Sequence, residues 1–79
     1  SGVGVCVAAN KFKNVRAGTM FSSGQARDSK RDENTNVLCL AADYISEVMA
    51  KKIISVWISV RFSGLSRHRR RLNKIKRLK

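Results

Sequence analysis

Seventy-nine residues with 43% apolar content and no proline describe one small domain or part of one, because a chain of this size buries only about 60% of its unfolded surface. No apolar run approaches the roughly 20 residues needed to cross a bilayer, and no charged region precedes an apolar one at the start, so the expectation is a chain neither membrane-embedded nor visibly targeted. The net charge of +12 belongs mostly to the tail: residues 61–79 hold nine Lys and Arg and no acid, whereas residues 1–60 carry only +3. Such a tail binds nucleic acid or another polyanion through phosphate contacts, or supplies a few arginines to one small phosphate.

In chain order, the first stretch is Ser1-Gly2-Val3-Gly4 followed by Val5-Cys6-Val7-Ala8-Ala9. Small residues at 1, 2 and 4 leave backbone N–H groups uncovered ahead of a predicted helix over residues 3–12, and unpaired amides at a helix start attract anions. This is an anion cradle at residues 1–4; a plain tight turn is the simpler alternative. Cys6 and Cys39 both sit among apolar neighbours and read as small buried hydrophobes rather than a disulfide or metal pair. A reducing, cytoplasmic setting follows.

Val15 to Phe21 is rich in strand-forming residues after a turn at Lys13-Asn14, which predicts a short strand. Ser22 or Ser23 then caps a second helix over 23–33, where Ala26 alone resembles a core contact, so the segment lacks an apolar stripe and is expected to be mobile. Asn36 to Ala42 is a continuous apolar run of strand length, as in a strand covered on both faces. Residues 46–61 are β-branched yet helical in pattern: Lys51, Lys52, Ser55 and Ser59 share one face, while Met49, Ile53, Val56, Trp57 and Val60 share the other. Ser46 caps this helix, Glu47 pairs with Lys51, and Gly64 is expected to end it. A basic helix follows from Ser66 to Lys76, with Leu72, Ile75 and Leu78 as a thin apolar edge.

The order helix, strand, helix, strand, helix, helix is α/β, the second half of a doubly wound Rossmann-like parallel sheet with helices on both faces and its opening strands missing. The blocks Ser1-Gly2-Val3-Gly4, Ala8-Ala9-Asn10-Lys11-Phe12, Val15-Arg16-Ala17, Asn34-Thr35-Asn36-Val37-Leu38-Cys39-Leu40, Trp57, Phe62, and Arg67-His68 with Arg71 carry a resemblance. In that order and spacing they look like the C-terminal half of the type B ribose-5-phosphate isomerase and galactose-6-phosphate isomerase family, with one extra residue near Leu65. The resemblance covers the whole chain and implies one partial sugar-phosphate isomerase domain over residues 1–79.

It further implies aldose–ketose isomerisation of a phosphorylated pentose or hexose in the pentose phosphate pathway, without cofactor or metal, by a homodimer or higher oligomer. In the family a Cys-Gly-Thr-Gly-x-Gly segment stabilises the enediolate with backbone amides, and its cysteine removes the proton. Ser1, Gly2 and Gly4 match its last part; the cysteine would fall ahead of residue 1. Some members place a glutamate base where Val5 stands here, and Cys6 would point elsewhere on the helix. The family's His-Asn pair, which assists ring opening and binds substrate, corresponds to Asp32 and Glu33, and an arginine after the second strand corresponds to Asp43. Asp32 can still exchange a proton and is the candidate catalytic residue; Glu33 is a candidate substrate contact. Arg67 and Arg71 match the family's phosphate-binding arginines, and a guanidinium fork suits a terminal phosphate. Without the resemblance they read as two charges on a solvated basic helix. His68, among basic neighbours, reads as structural or exposed and no metal ligand. The alternative to the isomerase is a non-enzymatic basic protein whose tail binds nucleic acid, a reading less favoured because no aromatic follows Phe62.

Overall fold

A computed structural model describes residues 2–78 and orders them as α1 (Val3–Ala9), β1 (Ala17–Met20), α2 (Ser23–Glu33), β2 (Val37–Leu40), α3 (Glu47–Ser59) and α4 (Ser66–Lys76). The α/β order expected from the sequence is present, and α2 is the crossover between two parallel strands in register from Ala17↔Val37 to Met20↔Leu40. Alternation along the strands then sorts the side chains by face. Met20, Leu38 and Leu40 join Ala26 of α2 and Ile53, Met49 and Trp57 of α3 in one core. Thr19 and Cys39 face the other way, toward α1, where the Thr19 hydroxyl donates to the Gly2 carbonyl at 3.0 Å.

Two asparagines pin this register. Asn10 brackets the head of β1, its Nδ2–H donating to the Ala17 carbonyl at 2.9 Å and its Oδ1 accepting from the Ala17 amide at 2.8 Å. Asn36 does the same one strand over, accepting from the Arg16 amide at 2.7 Å and donating to the Asn14 carbonyl at 2.8 Å. The first of these shortens α1: it stops at Ala9 rather than residue 12, the amides of Lys11 and Phe12 bond three residues back, and Asn14 turns the chain at φ 67°.

α2 forms without an apolar stripe. Its one buried residue is Ala26, fully enclosed against α3. Polar contacts hold the rest: Ser22 caps the Gln25 amide, Gln25 accepts in turn from the Phe21 amide, and Asn34 closes the helix at φ 50°. α3 starts as expected, with Ser46 accepting from the Met49 amide and Lys51 3.2 Å from Glu47. Its end differs. The backbone turns extended at Val60, so Gly64, at φ +69°, belongs to the lead into α4 and does not terminate α3. Cys39 is buried as expected, but Cys6 is only half-buried, and β2 is half-buried at three of its four positions because the sheet has just two strands.

Candidate functional site

The glycines of the expected cradle lie at the carboxyl ends of the strands. Gly2 has φ +84°, and a Cβ there would come within 2.9 Å of the Leu40 carbonyl oxygen, so only glycine fits this close approach. Its carbonyl is held by Thr19 and by the Cys6 amide. Gly4 lies in the first turn of α1 with open space around its Cα. Ser1 lies outside the described residues. In open α/β sheets this edge is where ligands bind, and the first-turn amides of α1 lack helical partners as at any helix start. Val5 is 69% exposed and carries no titratable group there. Cys6 accepts a 3.9 Å contact from Asn10 Nδ2, and the Cys39 thiol is pushed up in pKa first by burial and then by the neighbouring Cys6 thiol.

The other candidate residues gather at the opposite edge. Asp32 and Glu33 end α2, and Asn34-Thr35-Asn36 leads from them directly into the head of β2. The Arg16 guanidinium fixes this corner by donating to the Asn34 carbonyl at 2.7 Å. A full strand, on the order of 10 Å, therefore separates Asp32 and Glu33 from Gly2. One copy of the chain does not bring the two groups together.

At that edge α4 is tied to α2. The Ser63 amide donates to the Arg31 carbonyl at 2.9 Å, and the Ser63 hydroxyl lies 2.6 Å from His68 Nδ1. His68 is buried, its Nε2 3.7 Å from Asp32 Oδ1, which makes it a structural hub and not an exposed charge. Asp32 is held below the usual carboxylate range, first by the hydrogen bond from Arg31, with burial opposing and the charges of Arg31, His68 and Arg71 assisting. Arg31 grips both Asp32 oxygens, at 2.7 and 3.3 Å, and reaches Asp28 at 3.1 Å.

Arg67 and Arg71 flank His68 one residue before and three after. The Arg67 Nε lies 3.5 Å from His68 Nε2, and Arg71 Nη1 donates to Glu33 Oε1 at 2.9 Å. The Arg71 pairing is a contact that sequence reasoning missed. Its signal was present: Glu33, an acid at a helix C-terminus where the dipole disfavours one, implies a cation brought in from elsewhere. A cleft of about 1000 Å³ opens beside this corner, walled by Phe12, Leu72, Ile75 and Leu78 with Lys11, Lys13, Arg16 and Lys76 among its cations. The thin apolar edge of α4 lines this cleft instead of a core; Ile75 and Leu78 are exposed. Asp43 is exposed in the turn after β2. Among the described residues no cluster of three or more metal-binding side chains occurs, and no helix is long and apolar enough to cross a membrane.

Comparison with known proteins gives a consistent picture. A family model described as Ribose/Galactose Isomerase matches residues 1–75. The chain is 40% identical over 75 residues to a probable ribose-5-phosphate isomerase B of Mycoplasma genitalium, covering 95% of this chain and 49% of the relative. It is 33% identical over 75 residues to ribose-5-phosphate isomerase B of Escherichia coli, with 95% and 50% covered. Among solved structures it is similar to the ribose-5-phosphate isomerase B of M. genitalium with bound ribulose-5-phosphate, at TM-score 0.91, 41% identity, and coverage of 96% of this chain and 49% of that one. The chain spans about half the length of the curated relatives it matches.

Proposed function

This chain belongs to the ribose/galactose isomerase family and corresponds to the C-terminal half of its Rossmann-like fold, and from that premise we propose that it is part of an aldose–ketose isomerase of a phosphorylated pentose. The observation that carries the reading is the likeness, over 96% of the chain, to a structure that holds ribulose-5-phosphate. In this reading residues 1–4 form the cradle: amides at the carboxyl edge of the strands receive the negative charge that develops on the enediolate oxygen. Arg67 and Arg71, i and i+4 on α4, fork the terminal phosphate. Asp32 takes the role of proton acceptor during ring opening, as a weak base because the Arg31 hydrogen bond holds its pKa down.

The separation of the two clusters shapes the proposal. Gly2 and Arg71 lie at opposite strand edges, so a complete pocket takes its cradle and its arginines from different copies, and a homodimer or higher oligomer is the working unit. Asp32 and Glu33 place two carboxylates where the phosphate approaches, which lowers activity relative to members with neutral groups there.

Titration with ribose 5-phosphate and with a nucleic-acid duplex, on wild type, Arg67→Lys, Arg71→Lys and Arg69→Lys, tests the reading. Lys keeps the charge but not the planar fork, so selective loss of sugar-phosphate binding at 67 and 71 is the expected result. Equal losses at all three positions, or salt-sensitive duplex binding without sugar-phosphate binding, would replace the isomerase with the polyanion-binding alternative.

A further inference from the structure

Arg71 is not free to meet an anion. Glu33 Oε1 stands 2.9 Å from its Nη1, in a pair that spans 38 positions and joins the end of α2 to the middle of α4. The contact is therefore fixed by tertiary structure: the Ser63 amide on the Arg31 carbonyl and the Asp32–His68 approach hold the two helices in place on either side of it. A carboxylate at a helix C-terminus opposes the dipole, and such breaks of a local rule gather at functional positions. Both side chains remain accessible, 51% for Arg71 and 40% for Glu33. Among the described residues, Glu33 is the acid that meets this guanidinium, and it uses Nη1 alone. Arg67, one turn earlier, pairs with no acid among the described residues and contacts only His68 Nε2.

We propose that Glu33 is a specificity-determining residue: an internal anion that occupies Arg71, excludes carboxylate ligands, and yields to a terminal phosphate dianion. This rests on the sugar-phosphate reading above. A carboxylate ligand offers Arg71 the same group that Glu33 already supplies, and Glu33 is tethered, so the ligand competes against a high effective concentration. A phosphate dianion differs in kind. With two charges and three acceptor oxygens it engages Arg71 and the unpaired Arg67 together. Glu33 thus makes the site weaker for every anion but selective for phosphate over carboxylate.

The experiment is an NMR titration of the 79-residue chain with ribose 5-phosphate and with ribonate, the sugar acid of the same carbon count. It compares wild type with Glu33→Gln, Glu33→Asp, Arg71→Gln and the Glu33→Gln/Arg71→Gln pair. Releasing an exposed ion pair of this kind changes affinity by about two- to fivefold. Glu33→Gln is expected to tighten ribose 5-phosphate by that factor and ribonate by more, narrowing the ratio between them; Glu33→Asp keeps the wild-type ratio. Without Arg71 the Glu33 substitution changes neither ligand, a result that a merely structural role for Glu33 would not produce. An unchanged ratio in Glu33→Gln, or an effect that persists in the Arg71→Gln background, overturns the proposal. Failure of every variant to bind ribose 5-phosphate overturns the sugar-phosphate reading and this proposal with it.

Discussion

The indole Nε1–H of Trp57 donates to the Thr35 hydroxyl at 3.0 Å, tying the middle of α3 to the connection between α2 and β2. Thr35 is 8% exposed, and its hydroxyl continues to Ser29 at 3.2 Å, which donates to the Ala26 carbonyl at 3.0 Å. The chain runs in one direction, from indole to threonine to serine to backbone. It gives α2 a polar anchor on α3 beside its single apolar one, Ala26, and the Lys30 ammonium 3.7 Å over the Trp57 ring adds a second.

Thr35→Val is accordingly expected to destabilise the chain by about 1–3 kcal/mol, since it leaves a part-buried indole N–H without an acceptor. Trp57→Phe removes the donor and part of the packed ring, with a cost in the same range. Because the two share one bond, the double variant should lose less than the sum. Urea denaturation followed by circular dichroism measures all three; strict additivity would show that the bond carries no coupling.

Gly2 and Gly4 should respond to alanine with opposite signs. At Gly2 the new Cβ meets the Leu40 carbonyl oxygen at 2.9 Å and the backbone stays at φ +84°, so Gly2→Ala loses stability by about 1 kcal/mol or more. At Gly4 nothing lies within 4 Å and the backbone is helical, so Gly4→Ala gains about 0.5–1 kcal/mol. Thermal melts of the two variants check the pair. If Gly4 lines the cradle, the stabilised variant also binds sugar phosphate less well.

Much of the fold was legible because its signals are local. Ser22, Ser46 and the limits of α4 follow from capping and composition, and the α2 span was read to the residue. What escaped was set by contacts distant in sequence. The end of α1 is decided by Asn10 reaching Ala17, and the polar seam that holds α2 joins positions 29, 35 and 57. In the candidate site, the sequence singled out Gly2, Asp32, Glu33, Arg67 and Arg71 as candidates but did not show that they fall into two separated groups. That follows from the strand direction, which sends Gly2 to the carboxyl edge and Glu33 to the amino edge. Nor could the spacing show that Glu33 would take up Arg71, because a helix pattern reports neighbours three and four apart and not thirty-eight.

Acid should loosen the Arg31–Asp32 corner, the α2 side of the α2–α4 seam, before it affects the core. Asp32 titrates below its ordinary value in the folded chain, chiefly through the Arg31 hydrogen bond. Its stabilising contribution is therefore present above the unfolded value of about 3.9 and is lost as pH falls through the lower folded value. NMR of α4 amides near His68 should report weakening of this seam as pH falls below about 4, while amides of β2 stay unchanged. Asp32→Asn should remove that acid-dependent step, and its persistence in the variant would assign the step to another carboxylate.

The isolated chain should not behave as a stable monomer. Its buried apolar set among the described residues is Met20, Ala26, Cys39, Ala41 and Ile53, and three of these are small. Against that, Val3, Val5 and Val7 of α1 are 54%, 69% and 58% exposed, and β1 pairs on one edge only. A core this thin supplies little beyond the entropy it must offset, whereas an open strand edge and an apolar helix face both invite association. Sedimentation and thermal unfolding over a hundredfold range of concentration, about 1 to 100 µM, should show self-association and a midpoint that rises with concentration. Val3→Ser with Val7→Ser, an i, i+4 pair on α1, should reduce the association without altering the Ile53 environment, because neither valine reaches that core. A cooperative monomeric transition independent of concentration would mean instead that these 79 residues close their own surface.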